Sequence, residues 1–244
     1  MVIEEKKLFF KTALVVLDDN AAEKVSTRSD LNRIIVVSHS RLSLPKFSLI
    51  KSGKTGLINL KKTDEEILAS FNKTTRNEIR KTENTPELKF ISEAPFEEAY
   101  GLYASFERAI SRTPFPKSAL ASCTAFLAYE RDTPVSGIFV YPSKPILRIR
   151  SIFSKRVSVK DYEGYKRLSN AGRRLIYEVC LWGKRNGREG LDLSSINLEN
   201  TETKNIATFK MAFNPDVVPE YTYSRTSWLY RVAEMAMGIL RKFR

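Results

Sequence analysis

The chain has 244 residues, 42% of them hydrophobic and 28% charged, which is enough to bury one large core or two small ones. Its 41 lysines and arginines against 28 acids give a formal charge of +13, a surface that attracts the phosphates of nucleic acid, anionic lipid heads or nucleotide-linked substrates. One histidine and two cysteines leave no basis for a histidine-based metal site, a Ser-His-Asp hydrolase or a disulfide framework, and no apolar run nears the ~18 residues of a membrane span.

The N-terminus, "MVIEEKKLFF", lacks the order of basic, apolar and small residues of a secretory signal, so a cytoplasmic protein is expected. The first 60 residues or so read as β-rich. "LFFKTALVVLD" and "RIIVVSHS" are strands rich in Val, Ile and Phe, with His39 an ordinary strand-end residue. "KFSLIKSGKTGLINL" reads as two strands joined by a turn at "KSGKTG". That stretch resembles a phosphate-binding loop, but Ser48 stands where the first glycine belongs. The following "GLINL" is strand-like, whereas the phosphate needs the amides of a helix start.

At Thr63 the pattern changes. "TDEEILASFNKTTRNEIRKTE" opens with a capping box, Thr63 and Glu66, and reads as one helix with an inward stripe of Ile67, Leu68, Phe71, Thr75 and Ile79. Lys73, Arg76, Arg80 and Lys81 give it a basic face, read either as solvated cations at the negative helix end or as an anion-binding ridge. "ELKFISEA" is a strand, "PFEEAYGLYASFERAIS" a helix, and "TPFPKSAL" a proline-broken loop. "CTAFLAYERDTPVSGIFVYPSKPILRIRSIFS" reads as antiparallel strands with turns at "ERDTPVSG" and "YPSKP". "EGYKRLSNAGRRLIYEVCLWGKRNG" is a long helix that buries Cys180 as an inert thiol. Then come the strand "GLDLSSI", the short helix "NTETKNIATFKMAFN" and a last strand at "PEYTYS". The C-terminal helix "RTSWLYRVAEMAMGILRKFR" has an apolar face of Trp228, Leu229, Val232, Met235, Ala236, Ile239, Leu240 and Phe243. Arg225, Arg231, Arg241, Lys242 and Arg244 surround it. Such a helix either docks on its own domain or lies on an anionic membrane surface.

Four patches in this order resemble the FemAB-like branch of the GNAT acyltransferase superfamily. They are "RNEIRKT" at the end of a helix, "TPVSGIFVY", "GREGLDLSSI" and "FKMAF", and they span about residues 56 to 215. The chain departs from the branch's pattern at Thr82, Ala212 and Asn214, and "KRLSNAGR" lacks the spacing of the superfamily's usual pyrophosphate loop.

The resemblance implies an α/β fold, a GNAT-like, mostly antiparallel mixed sheet flanked by helices. Its expected parts are a β-rich piece over 1–62, the acyltransferase domain over 63–223 and the C-terminal basic amphipathic helix over 224–244. It also implies transfer of an acyl or aminoacyl group to an amine of a cell-envelope acceptor such as a peptidoglycan precursor. Acyl-CoA or aminoacyl-tRNA would be the donor, a nucleotide- or lipid-linked sugar a candidate acceptor, with no permanently bound cofactor and no metal. The site residues it carries over are Phe209 and Lys210, close to the reacting centre, with Phe209 and Phe213 as substrate-binding candidates.

Acyl transfer needs an amine that loses its proton, donors for the tetrahedral oxyanion and stabilisation of the leaving group. Lys210 meets the second or third need, or else snorkels its stem over Phe213. Asp192 orients the acceptor amine or acts as base, or else caps the strand end or pairs with a basic neighbour. Arg76, Arg80 and Lys81 are the phosphate-binding candidates. Two other classes stay open. One is a nucleic-acid-binding basic protein; the other is a non-catalytic GNAT-like partner at the inner face of the membrane.

Overall fold

The computed structural model describes residues 1–7, 9–199, 201 and 204–242. Phe243 and Arg244 of the expected C-terminal face lie outside the described residues, as do the side chains of Ile239, Leu240, Arg241 and Lys242. The same holds for Leu8 of the first expected strand and for Asn200, Glu202 and Thr203 before the short helix. The chain divides into two compact units, Met1–Lys54 with Val218–Arg244, and Thr55–Val217.

The first unit holds β1 (Val2–Lys7), β2 (Phe10–Val16), α1 (Asp19–Ser26) and β3 (Arg33–Ser38), with β10 (Asp216–Thr226) and α7 (Trp228–Lys242) from the chain's end. Its strand order is β1-β2-β3-β10. β1 and β2 form an antiparallel hairpin where the sequence reads as one strand. β2 and β3 are parallel, and a parallel pair needs a crossover, here α1. That helix was not expected from the β-rich reading. Asp18 caps it, accepting from the Ala21 amide at 2.9 Å, and Ala22 and Val25 face the Val15–Ile34–Val36 core. α7 turns Tyr230 onto the Phe10 ring (5.1 Å) and Glu234 onto Arg33 (2.5 Å). Its opposite residues Trp228, Leu229, Val232 and Met235 stand in water.

The second unit is a sheet of order β4-β9-β8-β7-β6-β5. Its strands are β4 (Ser48–Asn59), β5 (Leu88–Ser92), β6 (Thr124–Glu130), β7 (Thr133–Tyr141), β8 (Ile146–Ser154) and β9 (Gly190–Ser195). β5 to β8 are antiparallel neighbours, and β8 and β9 run parallel. One face packs on α5 (Tyr162–Arg185), the other on α4 (Phe96–Ala109).

Two expectations fail here. The "KSGKTG" turn is absent, because β4 runs unbroken through it from Ser48 to Asn59. Gly56 serves a close approach instead: a Cβ there would meet Ile196 Cδ1 and Pro215 Cγ at 2.7 Å. The single helix from Thr63 is two, α2 (Asp64–Ser70) and α3 (Lys73–Glu83). Phe71 leaves helical geometry at ψ 156°, and the Asn72 side chain caps the new start by accepting from the Thr75 amide at 2.8 Å. The capping box of Thr63 and Glu66 forms, and Ile67, Phe71, Thr75 and Ile79 are buried as their spacing predicts. The break turns α3 so that Ile79 still reaches the α5 core.

Candidate active site

The ladder between β8 and β9 is short. Ile146 faces Gly190, Leu147 faces Leu191 and Arg148 faces Asp192, and there the ladder ends. β8 continues to Ser154 on β7, while β9 continues to Ser195, which pairs with Thr55 of β4. Two parallel central strands therefore part at Arg148 and Asp192. A bulge in β8 opposite Phe139 and Val140 lies just past this point, the kind of ladder disruption that re-aims backbone and side chains beside a site.

The root of the opening is polar and closed by hydrogen bonds. Asp192 is fully buried. It accepts from Thr55 Oγ1 at 2.5 Å, Arg148 Nη1 at 2.7 Å and the Ser194 amide at 2.5 Å. Ser194 takes the left-handed conformation (φ 66°), and its hydroxyl donates across to the Ile149 carbonyl at 3.0 Å. A carboxylate in such a place must be paired, and Arg148 is one of its partners. Geometry thus brings Asp192 to the site as an anchor of the strand fork. Thr55, Arg148 and Ser194 were not singled out from sequence. The two arginines of "LRIRS", inside an otherwise apolar strand, were the available signal.

Lys210 lies on α6 (Lys204–Met211), which follows β9. Only 7% of it is exposed. Its Nζ donates to the Ser195 carbonyl at 2.9 Å, which brings the ammonium to the end of β9. The flanking rings belong to the core: Phe213 meets Phe71 edge-on at 5.1 Å and Phe209 at 5.5 Å. The end of α6 is also what breaks the α2–α3 helix. The Asn72 amide donates to the Ala212 carbonyl (3.2 Å) and the Asn214 side-chain amide to the Ser70 carbonyl (3.0 Å).

The expected phosphate ligands divide. Arg76 is spent on the end of α2, donating to the Ala69 carbonyl at 3.1 Å and to that of Phe71. Arg80 and Lys81 stand exposed in the last turn of α3. Arg173 on α5, not foreseen, lies nearer the aromatic motif: its guanidinium stacks over Phe209 at 5.2 Å, with Glu78 at 2.7 Å.

Neither cysteine supplies a nucleophile. Burial pushes the Cys123 thiol up to about 12 and raises that of Cys180 further, so both stay protonated at neutral pH. Among the described residues no group of His, Cys, Asp and Glu could hold a metal ion. No helix among them is long and apolar enough to cross a membrane.

The fold of the chain recurs in known structures. The crystal structure of FemX superposes with a TM-score of 0.61, covering 91% of this chain and 83% of that one at 10% identity. The chain has the FemAB-like fold. The C-terminal domain of a putative lysylphosphatidylglycerol synthetase from Agrobacterium fabrum matches at TM-score 0.54 and 13% identity, covering 98% of this chain and 85% of its own. L-PGS from Bacillus licheniformis matches at 0.52 and 15%, covering 92% and 80%. No protein-family model and no curated protein sequence matches the chain, so the FemAB-like likeness is one of three-dimensional form.

Proposed function

We propose that this FemAB-like chain is an acyl- or aminoacyltransferase that delivers its acyl group to an amine of a cell-envelope, nucleotide-linked or lipid-linked acceptor. One observation carries the reading: a lysine buried among aromatics and held by a carbonyl at the end of a strand that parts from its parallel neighbour. The acceptor amine attacks the acyl carbonyl. A C–N bond forms, the bond from the carbonyl carbon to the carrier breaks, and the carrier leaves with the proton the amine gives up. The Lys210 ammonium stabilises the oxyanion formed in between, in surroundings where water screens little. Asp192, Arg148 and Thr55 keep the two strands apart and in register, so they act as positioning residues.

The start of α5 bears on the choice of donor. A pyrophosphate-bearing carrier such as acyl-CoA is received by free amides at a helix N-terminus. Here Asp161 occupies that place, accepting from the Gly164 amide at 2.6 Å, with Glu163 in the first turn. The residues do not fit a diphosphate there, which supports an aminoacyl-tRNA donor. The exposed face of α7, with Trp228, Leu229, Val232 and Met235 beside the exposed Arg231, supports a peripheral hold on an anionic bilayer that carries the acceptor. A cytoplasmic location fits both.

Thermal-shift measurements with acyl-CoA, aminoacyl-tRNA and a nucleotide-linked sugar identify the partners, and aminoacyl-tRNA is expected to raise the melting temperature. Lys210→Ala then lowers turnover by about 10²–10³-fold, the loss of one oxyanion donor, with the fold intact. Unchanged turnover in that variant would remove Lys210 from the mechanism. Loss of vesicle co-sedimentation in Trp228→Ser/Leu229→Ser tests the membrane hold, and retained co-sedimentation refutes it.

A further inference from the structure

We propose that Arg150 holds an oxyanion of the acyl acceptor, a carboxylate or a phosphate, on the α4 side of the strand fork. That the ligand is the acceptor rests on the transferase reading, whereas the anion site stands by itself and is tested without turnover.

Arg150 is the extra residue of the β8 bulge. Phe139 pairs with Ser151 and Val140 with Ile149, so position 150 has no partner in β7. It lies two positions past Arg148, the last residue of the β8–β9 ladder, which is about 7 Å along the strand. Its guanidinium is over the Phe115 ring, 4.3 Å from the centroid. Phe115 stands between Pro114 and Pro116, and both of its backbone groups are bonded to α4. Its amide donates to the Tyr103 hydroxyl at 3.2 Å, and its carbonyl accepts from the Tyr100 hydroxyl at 3.0 Å. A ring that is 47% exposed is thereby fixed over a partly buried cation.

That cation lacks an anion. Arg148, Arg173 and Arg174 each meet a carboxylate. Among the described residues no carboxylate pairs with Arg150, and its enclosed Nε makes no hydrogen bond. The titratable groups around it are Tyr103, Cys123 and Tyr141, and burial raises all three, so each is neutral at pH 7. A partly buried charge without a counter-charge is costly. A guanidinium stacked on a ring keeps its in-plane N–H donors for a carboxylate or a phosphate. Lys210 belongs to the other face of the sheet, on α6, whose Phe209 and Phe213 join the core under α5. The two cations thus divide the work. Lys210 answers charge that develops during transfer, and Arg150 answers charge that the incoming molecule already carries.

The test is nuclear magnetic resonance on the full chain with isotope-labelled arginine, the Arg150 Nε–H signal being assigned by its disappearance in Arg150→Lys. Methyl phosphate and propionate are expected to shift that signal saturably, and neutral propionamide is expected to leave it in place. The anion that saturates at the lower concentration tells phosphate from carboxylate. Phe115→Leu takes the ring from the guanidinium and weakens the response about two- to fivefold. Arg150→Met is expected to melt within about 2 °C of the unsubstituted chain, since an unpaired charge adds little stability. It is also expected to lose the rise in melting temperature that excess methyl phosphate gives the unsubstituted chain. No shift, an equal shift at the exposed Arg80 or a response to propionamide overturns the proposal. So does a large fall in the melting temperature of Arg150→Met, which would make the ring contact a structural one. Absence of acyl transfer together with the shift overturns the transferase reading and not the anion site. Transfer without the shift overturns the anion site and not the reading.

Discussion

Replacing Arg148 with methionine removes one charge of the buried pair at the strand fork and keeps most of the side chain's bulk. Two unit charges 2.7 Å apart attract by about 6 kcal/mol at an effective dielectric constant near 20. Desolvation offsets part of this in the intact pair, but in the variant the cost falls on Asp192 with its guanidinium gone. Removing one partner of a buried pair costs about 3–5 kcal/mol. The Thr55 hydroxyl and the Ser194 amide still donate to the carboxylate, so the lower end, about 3 kcal/mol, is expected. For a chain of this size that is a fall in melting temperature of about 6–12 °C. Urea unfolding followed by circular dichroism measures it directly. Arg148→Met/Asp192→Leu is expected to recover only part of the loss, because it removes the unpaired buried charge but leaves the buried Thr55 hydroxyl and the Ser194 amide without their acceptor. A single variant within about 0.5 kcal/mol of the unsubstituted chain refutes the assignment of this pair as the anchor of the fork.

Gly56→Ala forces a Cβ against Ile196 and Pro215 and is expected to destabilise by about 1–3 kcal/mol in the same unfolding assay. An unchanged urea midpoint means that the neighbours yield freely. The Cys123 thiol, at about 12 where an ordinary one lies near 9, carries about 1000-fold less thiolate at pH 8. Iodoacetamide labelling followed by intact mass should therefore be slow until the chain is unfolded in urea, and equal rates in both states contradict the burial. Folded protein keeps this proton while unfolded chain releases it, so stability falls as pH rises from about 9 to about 12.

How legible these features were in the sequence depends on how local their causes are. Thr63 and Glu66 bond to each other's backbone three residues apart, and the Ile67-to-Ile79 stripe follows helical period, so both could be read directly. The break at Phe71 and Asn72 was hidden. Its cause is the docking of Ala212 and Asn214, about 140 positions away in the chain, and the periodic pattern runs across it undisturbed. "KSGKTG" misled for a related reason: Gly56 answers to Ile196 and Pro215, and a glycine that makes room looks like a glycine that makes a turn. α1 was legible in "DDNAAEKVS" through Asp18 and its alanines, but was overlooked among strongly β-forming neighbours. At the site, Lys210 stood out as a cation inside an apolar run. Arg148 stood out far less, since its partner Asp192 is reached only by sheet pairing.

The aromatic motif around Lys210 ties chemistry and architecture together unequally. Phe213 and Phe71 are fully enclosed and hold α6 against the broken helix, whereas the lysine between the rings donates to the carbonyl at the end of β9. A saturation library across residues 209–213 would sort accordingly. Soluble expression would tolerate many replacements at 210 and few at 213, and the survivors with a silent residue 210 would form a ready set of folded, inactive binders for trapping whatever the chain engages.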